Sequence, residues 1–184
     1  MDSYTLYTET DYSSQSSWKD KTLWIIILIV VLILILESYI TSKGTQSDKY
    51  SSLNKPSWQP APIVFSVVWI ILFSIIIYAW YKGNKLLEHG TRTTVNVLFA
   101  INLFLNFLWV YVFFGQYQLT AGVVVLILLI ISTIVLIWYL WRYAKTPAIL
   151  LLLYLGWLFV ALALNSSYVS LNPDISSSNN NMNH

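Results

Sequence analysis

The chain has 184 residues, 57% hydrophobic and 10% charged, against about 25% charged for an ordinary soluble domain, which places it among membrane proteins. It has no cysteine, which excludes disulfides, thiol catalysis and cysteine-based metal sites, and a formal net charge of +2 is too small for a nucleic-acid binder. Nine Trp, thirteen Tyr and eight Phe exceed what interfacial belts need, so a ring-lined interior is expected.

Residues 1–21 are polar and rich in Ser, Tyr and Thr. They lack the basic start and small-residue cleavage site of a signal peptide, and read as a short disordered extension. Five apolar segments follow, at 22–41, 61–81, 95–114, 119–141 and 147–169. Each has the roughly 20 residues a helix needs to cross the hydrocarbon core. Their length and period predict helices and not a closed barrel of short alternating strands. The fold class is therefore an all-α integral membrane protein, a five-transmembrane-helix bundle over residues 22–172. Segments two to five carry no charge, and segment one carries Glu37 near its end, where it is expected to reach the interface. An Asn/Ser-rich tail, 173–184, reads as disordered.

Connections 115–118 and 142–146 are short, so segments three, four and five are antiparallel neighbours. The connection 42–60 is the longest. Five spans put the termini on opposite sides of the membrane. Lys19, Lys21, Lys82, Lys85, Arg92, Arg142 and Lys145 lie on the N-terminal side, against Lys43, Lys49 and Lys55 on the other. The positive-inside rule then places the long loop outside. No internal repeat of the transporter kind is visible, and five is an odd number for inverted halves.

The long loop ends in SLNKPSWQPAPIVFSVVW, Ser52 to Trp69. Pro56, Pro60 and Pro62 stiffen it and lower the entropy lost on ordering it. Pro62 falls in the first turn of segment two, where a missing N–H costs nothing. Trp58 is read as a flat lid with the Lys55 cation beside it, placed to meet a ligand carboxylate. The plainer alternative is a belt tryptophan and a snorkelling lysine. Segment two carries Phe65, Trp69, Phe73 and Trp80 on one stripe, with Trp80 and Tyr81 at the far interface.

In segment three, Asn102, Asn106 and Trp109 share a face by their spacing of four and three. An amide in hydrocarbon faces protein or a cavity. It serves there as interhelical glue, at roughly 0.6–2 kcal/mol, or as a ligand contact. In segment five, Tyr154, Trp157, Ala161, Asn165 and Tyr168 form a stripe of rings around a small residue and an amide. That stripe fits either close packing or ligand approach. A lid above three aromatic faces suits a large, flat, apolar ligand. Catalytic signatures are thin. His89 and His184 have no metal-binding partner at helical spacing, and there is no acid pair, Ser/His/Asp set or glycine-rich phosphate loop. No catalytic residue and no metal site is assigned.

From Tyr50 to Asn172 these pieces resemble the translocator protein/tryptophan-rich sensory protein family (TspO/MBR type). The resemblance is carried by Leu53-x-Lys55-Pro56-x-Trp58-x-Pro60, Phe65-x-x-x-Trp69 and Asn102-x-x-x-Asn106-x-x-Trp109-x-x-x-Phe113-Phe114-Gly115. Trp141-Arg142, Tyr154-x-x-Trp157-x-x-x-Ala161-x-x-x-Asn165 and Leu171-Asn172 complete it. It implies a five-helix bundle, usually a homodimer, whose cavity opens toward the loop between spans one and two. The implied ligands are porphyrins, protoporphyrin IX or haem, and also sterol-like molecules and flat drugs. No cofactor is required. The implied ligand-binding residues are Trp58, Phe65, Trp69, Asn106, Trp109, Trp157, Ala161 and Asn165, with Lys55, Pro56 and Pro60 in the lid. The function implied is a sensor or carrier. A porphyrin-modifying enzyme and a transporter of small hydrophobic molecules are the alternatives. The chain departs from the family pattern at Ser57, Ala61, Ile63 and Val125, and by lacking a cholesterol-recognition Arg near its C-terminus. These departures leave the bundle intact.

Overall fold

A computed structural model describes residues 20–173. The polar extension and the Asn/Ser-rich tail fall almost wholly on 1–19 and 174–184, outside the described residues. Five helices long and apolar enough to cross a membrane stand where the sequence predicts them. They are α1 (Lys21–Thr45), α3 (Pro62–Leu86), α4 (His89–Val110), α5 (Leu119–Trp141) and α6 (Lys145–Leu171). A four-residue α2 (Asp48–Ser51) lies in the long loop, and α4 runs on into a π-helical turn, Tyr111–Gly115. Among the described residues there is no strand.

The helices are longer than the apolar segments because capping is local and membrane thickness is not. Asp20 caps α1, its side chain accepting from the Thr22 N–H at 3.0 Å. Pro62 is the first residue of α3. Pro147 sits two residues inside α6, within the turn whose N–H groups have no intrahelical acceptor. A 25-residue helix such as α3 rises about 38 Å, so its ends project beyond a hydrocarbon core of about 30 Å.

Lipid is as apolar as leucine, so helix association rests on close packing and interhelical hydrogen bonds. The α5–α6 pairing is the most extensive, followed by α4–α5 and α3–α6. Glycine permits the tightest of these approaches. A Cβ on Gly122 of α5 would stand 2.6 Å from Asn165 Oδ1 of α6. One on Gly44 of α1 would collide with the Phe114 carbonyl. Ile, Leu and Val side chains such as Ile25, Leu28, Leu32, Ile70 and Ile131 remain outward, which suits lipid.

The bundle has two ends. At one, Asp20 forms an ion pair with Lys85, and Trp80 and Asn84 both donate to Asn96 Oδ1, at 2.6 and 2.7 Å. At the other lie the ends of α1, α4 and α6, the starts of α3 and α5, and the long loop. A reciprocal amide pair ties that loop down. Asn54 N–H donates to Asn172 Oδ1 at 2.8 Å, and Asn172 Nδ2 donates to the Asn54 carbonyl at 3.0 Å. Tyr117 reverses the chain before α5 with φ 56°. Its hydroxyl donates to the Gly44 carbonyl at 2.9 Å, which fixes the end of α1 against this turn.

Candidate ligand cavity

A cavity of about 620 Å³ opens at the loop end, between α1, α3, the π-helical turn and α6. That volume lies within the usual range for small-molecule sites, about 300–1,000 Å³. Its wall is a continuous run of rings. Phe65 contacts Trp69 at 6.2 Å, and Trp69 stacks on Trp109 at 6.0 Å and 30°. Trp109 stacks on Phe113 at 6.1 Å, and Phe113 meets Phe114 at 4.8 Å. The π-helical turn makes the last part possible. Gln116 N–H bonds back five residues to the Tyr111 carbonyl, and the widened turn leaves two consecutive rings, Phe113 and Phe114, both buried on the cavity. Single π turns inside helices recur at functional sites.

A polar network closes the mouth. Tyr168 donates to Gln59 Oε1 at 2.5 Å, Gln59 Nε2 donates to the Tyr50 hydroxyl at 3.4 Å, and the Tyr50 and Tyr168 hydroxyls lie 3.2 Å apart. Lys55 Nζ sits 4.5 Å from the Tyr50 ring centroid and lines the same mouth.

Of the sequence-predicted residues, Phe65, Trp69, Trp109, Ala161, Asn165, Lys55 and Pro60 come together around this space. Asn165 is both wall and glue. Its Oδ1 accepts from Trp109 Nε1 at 3.2 Å, and its Nδ2 donates to the Leu119 carbonyl at 2.9 Å. The amide therefore holds the indole in place while lining the cavity beside it. Trp157 stands one layer back, 5.6 Å from Phe65. Asn106 is also outside the lining. It is fully buried and donates to the Tyr154 hydroxyl at 3.0 Å. Asn102 lies further still, donating to Thr133 Oγ1 at 2.8 Å, which is helix–helix glue.

The lid differs from the expectation in which residue faces inward. Trp58 is 48% exposed and does not line the cavity, and Pro56 is buried in the loop without reaching it. Gln59 N–H bonds to the Pro56 carbonyl at 3.1 Å. That tight turn aims Gln59 inward and leaves Trp58 outward.

Glu37 requires a correction. It does not reach the interface. It is 7% exposed and lines the cavity, because α1 continues two turns past it to Thr45. Ser38, Thr41, Ser42 and Thr45 share that wall, so α1 presents a polar stripe inside an otherwise Ile/Leu/Val helix. The spacing Glu37, Thr41, Thr45, four and four, was the available signal. Among the described residues no group of three His, Cys, Asp or Glu gathers to hold a metal.

These features define a class: a multi-pass helical membrane protein with an aromatic cavity at one end of its bundle. The chain belongs to the TspO/MBR family, whose model matches residues 25–170. It is 35% identical over 150 residues to the tryptophan-rich protein TspO of Archaeoglobus fulgidus, covering 79% of this chain and 94% of that one. To the tryptophan-rich protein TspO of Chlorobaculum tepidum it is 39% identical over 126 residues, covering 67% and 79%. To the translocator protein of Ovis aries it is 34% identical over 133 residues, covering 69% and 75%.

Proposed function

We propose that this chain is a membrane receptor or carrier that binds a large, flat, hydrophobic ligand of the porphyrin type in the loop-end cavity. The observation that carries the reading is the stacked Trp69–Trp109 pair on the wall of a 620 Å³ space. Ring faces on a cavity wall favour offset stacking on another ring system. Lys55 at the mouth supplies an ammonium for a carboxylate at the ligand's edge. Ala161 leaves room where a larger side chain would fill the cavity. Five spans set this mouth opposite the N-terminus, and the excess of basic residues on the N-terminal side supports reading it as the non-cytosolic face.

The test is a titration of the purified full chain with protoporphyrin IX in the dark, read by tryptophan quenching and by the porphyrin absorption band. Saturable quenching with a fixed spectral shift is expected. Trp69→Ala is expected to weaken binding about tenfold. Trp58→Ala, which removes a residue outside the lining, is expected to change it less than about twofold. Linear quenching, equal in all three proteins, would mean partition into the membrane and would sink the reading. Progressive bleaching of the band would point to porphyrin modification.

A further inference from the structure

The cavity carries an ionisable group that a neutral or anionic flat ligand does not use. Glu37 Oε1 has no hydrogen-bond partner, on a side chain more than nine-tenths buried and facing the cavity. Buried polar atoms are nearly always paired, and an ionisable residue inside a span marks a functional site by default, with a partner to be named. The basic side chain among the cavity's lining, Lys55, stands at the mouth over the Tyr50 ring and does not partner Glu37 Oε1. Glu37 lies eight residues before Thr45 along α1, about 12 Å deeper at 1.5 Å per residue.

Facing α1 across the cavity are the rings of Trp69, Trp109, Phe113 and Phe114. Ring faces attract a cation through their quadrupole, and aromatic enclosures are the recurrent way proteins hold organic ammonium groups. A lone carboxyl among such faces has the chemistry of an amine site. We propose that the deep end of this cavity recognises a cationic nitrogen on a flat aromatic ligand, with Glu37 as its counter-ion and the Trp69–Trp109 wall as its platform. This rests on reading the cavity as a ligand site and adds a ligand class to it: planar hydrophobic cations. The hydroxyls of Ser38 and Thr41, on the same wall, supply further acceptors for the ligand's N–H groups.

The test uses the full chain in phosphatidylcholine nanodiscs at neutral pH. Two three-ring probes of similar size are compared, cationic 9-aminoacridine and neutral 9-methylanthracene, each corrected for partition into empty discs. Wild type is expected to bind the cation at least about tenfold tighter than the neutral probe. Glu37→Gln is expected to abolish that preference while leaving the neutral probe within about twofold. Glu37→Asp, which keeps the carboxyl, is expected to retain part of it. Equal affinity for the two probes in wild type, unchanged cation affinity in Glu37→Gln, or no saturable binding of the cation would each overturn the proposal. If Glu37→Gln does not fold, the wild-type pair of probes decides alone. Protoporphyrin IX run in parallel separates the two readings. Failed porphyrin binding with an intact Glu37-dependent preference sinks the porphyrin reading only. Saturable porphyrin binding with no preference between probes sinks the cation site only.

Discussion

The two ends of the bundle use the same residue types for opposite purposes. At the end away from the long loop, Trp80 stacks on Phe99 at 5.3 Å and 11° and donates to Asn96. Asn84 completes that cluster, and Asn102 closes on Thr133 further along. Rings and amides there consume one another. At the loop end, Trp69, Trp109, Phe113 and Asn165 form the same kinds of contact along a surface and leave space beside it. The difference lies in the helix opposite. The loop-end half of α1 offers a carboxyl, hydroxyls and a glycine in place of a ring, and α1 buries the smallest share of its length among the five spans. In a membrane protein, then, a tryptophan–asparagine pair is glue or cavity wall according to what faces it, and its own chemistry does not decide.

The sharpest way to break this comparison is to fill the space. Ala161→Trp is expected to weaken protoporphyrin IX binding about a hundredfold, a loss of about 2.7 kcal/mol, with the helical circular dichroism retained. Asn165→Leu removes the bonds to Trp109 and Leu119 and belongs to both functions. It should lower binding about tenfold and stability by about 1–3 kcal/mol, read by titration and by thermal unfolding in detergent. Asn102→Leu removes glue alone, so a loss of about 0.6–2 kcal/mol in stability should come with unchanged ligand affinity. If ligand affinity falls instead, the two ends are not separable.

The smallest effect belongs to the surface ion pair. The Lys85 ammonium beside Asp20, helped by the Thr22 N–H and the Tyr81 hydroxyl, holds the Asp20 carboxyl below its ordinary 3.8. A carboxyl lowered on folding contributes stability that is full above its unfolded value and lost as pH falls through its folded one. Wild type should therefore lose a small stability advantage over Lys85→Ala as the pH falls below about 4, measured as converging melting temperatures.

Legibility followed periodicity. The five spans, and the cavity side of α3 and α6, were readable because a stripe of Phe65, Trp69 and Phe73, or of Ala161, Asn165 and Tyr168, repeats with the helix. Asn102 and Asn106 share that spacing yet fall outside the cavity, because spacing fixes a face and not a depth along it. Trp58 and Gln59 are neighbours in a loop, where no period says which one turns inward. Phe114 joins Phe113 on the cavity only because the π turn breaks the helical period. Glu37 is a single carboxyl near the end of an apolar run, and its burial depends on two further turns of α1 that hydropathy alone does not extend.

The measurement that tests the location of binding most directly is hydrogen exchange by mass spectrometry, comparing the free chain with the protoporphyrin IX complex. Slowed exchange is predicted in peptides covering 50–69 and 109–118, with no change over 80–99 and 133–148. Protection spread equally over both ends, or confined to 80–99, would contradict a ligand seated in the loop-end cavity.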